Sequence, residues 1–208
     1  TGENWHGSLD DIRIYDAVLS PAEVTSLASA GGGGGGVSGY YLDEFPDFSC
    51  DGADEYVGSS GTLDWSGSAW VEVGDDGRAC GANFRVLDDP TLDDPTGNRL
   101  RLQNKKRSIY RQVDLSGYTG ATLSLDYRRA AMTGQAAFDV MVSGDGGSNW
   151  TVLGTLTAGT DAAYQSVSYD ISAYIATNTQ IQLQVNTKFS GEAYIDNVRI
   201  DLTGGAGG

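Results

Sequence analysis

Chemistry in this chain has to come from acids, arginines and aromatics, because the usual catalytic types are nearly absent. Its 208 residues include one histidine, His6, and two cysteines, Cys50 and Cys80. His6 lies in the first segment, apart from the long region that follows, so that region has no Ser-His-Asp or Cys-His set. Carboxylates are plentiful, with 28 acidic residues against 13 basic ones and a net charge of −15. Composition alone leaves a glycosidase-like carboxylate pair open. The acids, however, fall in turn-like sequence, where water keeps them ionised, and not in apolar pockets that would raise a pKa for acid catalysis. The chain therefore reads as non-catalytic.

The charge is concentrated. Residues 43–94 hold 14 acidic and 2 basic residues, net −12, whereas residues 95–208 are nearly neutral at +1. Adjacent acids at Asp43-Glu44, Asp75-Asp76, Asp88-Asp89 and Asp93-Asp94 repel one another. A hard cation with oxygen ligands relieves such repulsion, and Ca²⁺ suits flexible Asp-rich loops; solvated loop acids are the alternative. Six bases (Arg99, Arg101, Lys105, Lys106, Arg107 and Arg111) fall within 13 residues, and Arg128 and Arg129 add a pair. Guanidinium forks recognise sulfate or carboxylate, so Arg107 and Arg128 are candidate contacts to an anionic glycan. The competing reading docks this hairpin on the acidic stretch. Trp65, Trp70, Tyr110 and Tyr127 offer stacking faces for sugar rings, although sandwich cores bury aromatics routinely. The two cysteines lack a CxxC spacing and a neighbouring histidine, which disfavours zinc. A Cys50–Cys80 disulfide is expected, with two separate buried thiols as the alternative.

Segment 143–150, Ser-Gly-Asp-Gly-Gly-Ser-Asn-Trp, resembles the Asp-box hairpin S-x-D-x-G-x-[ST]-W, with Asn149 in place of the usual hydroxyl residue. It predicts a tight structural turn with Trp150 packed beneath it as core.

The elements that carry these residues are strands. With 30 glycines, few prolines and 10% aromatics, the chain is too apolar for disorder and too glycine-rich for a helical bundle. Apolar/polar alternation recurs at 69–73, 100–103, 109–115, 122–128, 137–143, 151–156, 164–171, 180–185 and 194–202. Nine strands between Gly, Asp, Ser and Asn turns predict an all-β fold, an antiparallel jelly-roll β-sandwich over 37–203. Segments 113–118 and 169–174 echo each other and are expected at equivalent corners. Residues 1–30 differ: a strand at 9–14 is followed by a short helix capped by Ser20, Pro21 and Glu23. Six glycines at 31–36 read as a linker, as does 204–208. The net charge argues against general nucleic-acid binding and against adhesion to anionic membranes. No stretch has the ~20 apolar residues of a spanning helix. The opening Thr-Gly-Glu-Asn is not a secretory leader, and a piece of a longer, extracellular chain is expected.

Two family resemblances follow from quoted residues. The run Trp5-His6-Gly7-Ser8-Leu9-Asp10-Asp11-Ile12-Arg13-Ile14-Tyr15, with Leu19-Ser20-Pro21-Ala22-Glu23-Val24, resembles the C-terminal end of a laminin-G-like (concanavalin-like) jelly roll, which makes 1–30 the remnant of another domain. Residues 40–202 resemble galactose-binding-like and carbohydrate-binding-module jelly rolls. Within that group they are similar to repeats of proteobacterial surface proteins such as the MshQ-like pilus-associated proteins. The resemblance is carried by Asp43-Glu44-Phe45, Trp70-Val71-Glu72-Val73, Asp114-Leu115-Ser116, Leu123–Arg129 and Tyr194-Ile195-Asp196-Asn197-Val198-Arg199-Ile200. It implies a bacterial surface location, a glycan or cell-surface partner, and neighbouring domains or copies in a long chain. It also implies a structural calcium shared by an acid of the first strand, Asp43 or Glu44, with Asp196 of the last. The function expected is a calcium-stabilised adhesion or glycan-binding module, with a spacer, a filament subunit or an enzyme appendage as alternatives.

Overall fold

The structure, a computed structural model, describes residues 37–45, 56–88, 97–103, 107–187 and 190–204. The chain divides into Thr1–Gly36 and Val37–Gly208, and the described residues all belong to the second unit. The expected jelly-roll remnant at 1–30, the glycines of 31–36 and 205–208, His6, Cys50, Lys105 and Lys106 lie outside them. The Cys50–Cys80 bridge therefore carries forward as a proposal, and no free cysteine occurs among the described residues.

The fold is all-β and antiparallel. Its strands are β1 (Val37–Asp43), β2 (Val71–Val73), β3 (Phe84–Asp88), β4 (Asn98–Leu102), β5 (Ser108–Val113), β6 (Gly120–Ser143), β7 (Thr151–Gly159), β8 (Gln165–Asp170), β9 (Thr179–Val185) and β10 (Ser190–Thr203). A 3-10 turn, Ser172–Tyr174, precedes β9.

Two sheets pack face to face. In the first, β8 pairs with the early half of β6, which pairs with β10; on its other side β10 takes β1 along 198–203 and β4 along 193–195, and β3 closes the edge beside β4. The second runs β2-β5-β9-β6-β7, using the late half of β6. The alternation at 122–128 and 137–143 thus belongs to one long strand serving both sheets. β6 changes sheets through Ala131 and Gly134, both at positive φ. Gly191 of β10, at φ +89, lies against this bend, where a Cβ would collide with the carbonyl oxygen of Ala131.

Period-two patterning decides which residues meet between the sheets. Phe84, Val86, Leu100, Leu102, Leu123, Leu125, Ile195, Ile200 and Leu202 line the inner face of the first sheet. Ile109, Val113, Phe138, Val140, Val142, Ile181, Leu183 and Val185 line that of the second, and all are buried in one core. The echoed segments make the same Asx turn: Ser116 N–H donates to Asp114 Oδ1 at 2.8 Å and Ser172 N–H to Asp170 Oδ1 at 2.9 Å.

Candidate functional site

β5 decides what each side of the second sheet can do. Its inward residues are Ile109, Arg111 and Val113, so a guanidinium occupies an apolar slot with no exposed surface. Burial there is tolerated because the donors are used. Arg111 Nη1 donates to Asp43 Oδ2 at 2.5 Å and to the Gly58 carbonyl at 2.8 Å. Nη2 donates to the Trp65 carbonyl at 2.7 Å, and Nε to that of Ser68 at 2.8 Å. Its Cζ lies 4.1 Å from the Trp65 ring centroid. Asp43 also accepts from Trp70 Nε1 and from the Phe45 N–H, each at 2.8 Å. Burial pushes Asp43 up and lowers Arg111 to about 10, each opposed by the other's charge. The cluster pins segment 56–70, which has little regular structure, to β5, and its backbone bonds to Tyr40 and Leu42 tie it to β1.

Two sequence expectations change here. Trp65 and Trp70, read as stacking platforms, are only 3% and 4% exposed and pack on Tyr41, Phe45 and each other. Their indole N–H groups are tied to the Gln112 carbonyl and to Asp43. They are core, closed to a sugar ring. Asp43 is the counter-ion of Arg111 and is removed from the calcium ligand set. Glu44 is half-buried; Asp196 is buried and accepts from the Asn197 N–H at 2.7 Å. Pairing of Asp43 with Val198 brings these two acids to the same end of the β1–β10 ladder.

Arg107, another candidate glycan contact, is ion-paired with Asp75, whose side chain is buried. Asp75 further accepts from the N–H groups of Asn83 and Phe84 at 2.8 Å. Arg107 and Arg111 thus dock on the acidic stretch of their own domain. Glu72, Asp75 and Asp76 bring carboxylate oxygens within 4.8 Å of one another, but Glu72 accepts from Tyr56 Oη at 2.6 Å and from the Gly77 N–H at 2.8 Å. Protein donors already offset much of this repulsion. Arg128 lies on the outer face of the first sheet, 5.3 Å from the Tyr194 ring centroid. Tyr127 packs against the core.

The outward residues of the second sheet form a different surface. Register sets Val71 opposite Tyr110 and Tyr110 opposite Gln182, which faces Met141. Gln112 faces Gln180, and Ser108 faces Gln184, which faces Asp139. Over them lies a groove of about 310 Å³ lined by Val73, Ser108, Tyr110, Gly146, Gly147, Trp150, Gln180 and Gln182. Tyr110 and Trp150 stand at its side with ring centroids 6.5 Å apart and tilted by 59°. Val71 and Val73 extend it with apolar surface, 43% and 50% exposed. Its floor is amide-rich: Gln180 Nε2 donates to Gln112 Oε1 at 3.2 Å. Asp139 is held by Thr155 Oγ1 at 2.5 Å and Asn186 Nδ2 at 2.6 Å.

The Asp-box turn supplies one wall. Asp145 accepts from Ser143 Oγ at 2.7 Å, Asn149 N–H at 2.9 Å and Asn149 Nδ2 at 2.6 Å, so Asn149 does replace the hydroxyl. These bonds hold the Asp145 carboxyl down at about 2. Gly147, at φ +86, leaves room for Gln180 Oε1 and Trp150, which a Cβ would meet at 2.7 and 3.4 Å. The expectation of Trp150 as core is therefore corrected: it is half-buried and lines the groove. The Asp-box reading found the turn and missed which side of the sheet its tryptophan covers.

No protein-family model matches the chain, and no curated protein matches it. Among solved structures it is similar to the CBM22-1 xylan-binding domain from Paenibacillus barcinonensis Xyn10C, at 12% identity over 79% of this chain and 94% of that one, TM-score 0.52. It is also similar to the K1 cleaved adhesin domain of Lys-gingipain from Porphyromonas gingivalis W83, at 16% identity over 66% and 91%, TM-score 0.46. A third is TmCBM61 in complex with β-1,4-galactotriose, at 12% identity over 63% and 86%, TM-score 0.45. At such identities the likeness to the xylan-binding domain is one of fold: the chain carries an antiparallel β-sandwich of the kind found in carbohydrate-binding modules.

Proposed function

We propose that residues 37–203 are a non-catalytic glycan-binding module acting outside the cell, in a longer surface protein. The observation that carries this reading is the groove over the second sheet. Tyr110 and Trp150 offer ring faces for the C–H faces of a sugar. Gln180 and Gln182 line the groove with amide groups of the kind that bond hydroxyls. Apolar rings with a few oriented polar groups are the usual make-up of a small-ligand cleft. Asp139, the carboxylate of this face, is already engaged by Thr155 and Asn186, which favours an uncharged glycan.

Calcium belongs to the same proposal, with Glu44 and Asp196 as the protein carboxylates and a structural role. So do the Cys50–Cys80 bridge and a bacterial surface location. The test is affinity electrophoresis of the intact chain in xylan and in β-1,4-galactan, beside Tyr110→Ala and Trp150→Ala. Retardation of the wild type that both variants lose supports the reading. No retardation by either polymer, or by any member of a wider neutral-glycan panel, sinks it in favour of a spacer.

A further inference from the structure

The outer face of the first sheet carries a second set of recognition groups. With Phe84, Val86, Leu100 and Leu102 turned inward, the alternating residues Arg85, Arg99 and Arg101 of β3 and β4 turn outward. Register sets Arg85 opposite Arg101, Arg101 opposite Tyr194 and Tyr194 opposite Arg128. Four adjacent strands thus present one row, Arg-Arg-Tyr-Arg, about 14 Å long at the usual inter-strand spacing. Arg99 stacks on Tyr194 with Cζ 3.8 Å from the ring centroid, and Arg128 lies 5.8 Å from the centroid of Tyr164.

Among the described residues the row has more guanidinium than carboxylate paired to it. Arg101 Nη1 reaches Glu192 at 3.2 Å and its Nη2 donates to the Ala82 carbonyl at 2.9 Å. Glu192 also accepts from the Tyr194 hydroxyl. One step along the face, Asp126 is occupied by Ser166 and by Asn197 Nδ2, and Asp196 by the Asn197 N–H. Among the described residues no carboxylate reaches Arg85 or Arg128. The Arg101 side chain is only 7% exposed, yet its Nε has no hydrogen-bond partner; nor do the buried Arg85 Nε and Tyr164 hydroxyl. Burial and the neighbouring Arg85 hold Arg101 below the usual guanidinium range, and burial pushes Tyr164 up to about 12. Like charges directly opposite on paired strands are unfavourable, and buried donors without partners are costly. An oxyanion seated against these guanidinium groups offsets the like-charge penalty.

We propose that this row is a second binding site, for a glycan bearing carboxylate or sulfate groups, on the side of the sandwich opposite the Tyr110–Trp150 groove. An extended polymer fits better than a single small anion, because the guanidinium groups repeat from strand to strand along a flat face. The domain would then bridge two glycans, a neutral one and an acidic one.

The test is titration of the intact chain with polygalacturonate (carboxylate) and chondroitin sulfate (sulfate and carboxylate), using Arg85→Gln, Arg128→Gln, the double variant and Tyr110→Ala. Arg85 and Arg128 are chosen because neither bonds to the core, and each variant's melting temperature verifies its fold. Wild type is expected to bind at least one polyanion, and the double variant to bind about tenfold or more weakly, the size of one charge-assisted hydrogen bond. Tyr110→Ala should leave polyanion binding unchanged, which keeps this result separate from the fate of the groove. Binding should weaken steeply between about 50 and 500 mM salt, as the Debye length shrinks. The ratio of the two affinities then names the preferred anion. No binding to either polymer, or equal binding by wild type and the double variant, overturns the proposal. So does concentration-dependent self-association that the double variant abolishes, since the row would then belong to the acids of a second copy.

Discussion

Arg111 and Asp43, each without exposed side-chain surface, meet at 2.5 Å inside the sandwich, on the inward side of β5 where Ile109 and Val113 are the neighbouring residues. The pair joins the first strand to the second sheet, and through the carbonyls of Gly58, Trp65 and Ser68 it fastens segment 56–70. Removing one member strands a buried charge. Arg111→Met is expected to cost about 3–5 kcal/mol. Asp43→Leu with Arg111→Met should recover part of that loss and no more, because the three carbonyls lose their donor in either case. Urea midpoints of the single and double variants decide this; identical midpoints would show that the ion pair itself adds nothing beyond the carbonyl contacts.

Much of the sandwich was legible because its strands alternate strictly. Ile109-Tyr110-Arg111-Gln112-Val113 shows both the success and the gap: period two marks 109, 111 and 113 as one face, yet an arginine at the centre of that face reads as surface by residue type. The alternation at 122–128 and 137–143 reads as two strands, whereas they belong to one strand that bends at Ala131 and Gly134, both at positive φ. The alternation does not mark β1 or β3, and a first strand at Asp43 or Glu44 is legible only through the family resemblance. The groove left a trace that was available, glutamines at every second position of Thr179–Val185, a polar row on one face of a strand whose two faces are both largely buried. Amides carry no charge, so the row is silent in a charge pattern dominated by residues such as Arg107 and Asp75, or Arg111 and Asp43, that pair with each other.

The aromatic residues should separate cleanly by assay. Tyr110→Ala and Trp150→Ala are expected to lower the affinity for the retained neutral glycan by about 2 kcal/mol each, the size of an anchor residue, with little effect on melting. Gln182→Ala should cost about 1 kcal/mol, one net hydrogen bond. Trp65→Ala and Trp70→Ala should instead lower stability by about 3–5 kcal/mol as core truncations. Calorimetric binding curves set beside thermal melts check the division; strong binding loss in a fully stable Trp70 variant would contradict it.

Calcium is checked without reference to any glycan. A structural ion that binds only the folded state raises its stability by about 2.7 kcal/mol at one hundred times its dissociation constant. Calcium added to EDTA-treated protein is therefore expected to raise the melting temperature, and Asp196→Asn and Glu44→Gln to abolish most of that rise. Asp43→Asn should lower the starting stability through Arg111 but keep the calcium response. A wild-type melt indifferent to calcium removes the ion from the proposed function.

The Asp-box turn predicts a pH effect with a definite sign. In the folded chain the Asp145 carboxyl is held at about 2, below its ordinary 3.8, chiefly by Asn149 Nδ2 and then by Ser143 Oγ. A carboxylate depressed by folding contributes stability that is complete above its unfolded value and is lost as pH falls through the folded one. The turn should thus stay intact at pH 4 and loosen towards pH 2. Trp150 follows this turn directly and lines the groove, so its fluorescence should report the same transition. Carbon-detected titration of the Asp145 carboxyl is expected to give a midpoint near 2, and Asn149→Ala to raise that midpoint towards the ordinary range. A wild-type midpoint near 4 would mean that these hydrogen bonds do not persist in solution. Trp150 would then be held in the groove by its contact with Tyr110 instead of by the turn.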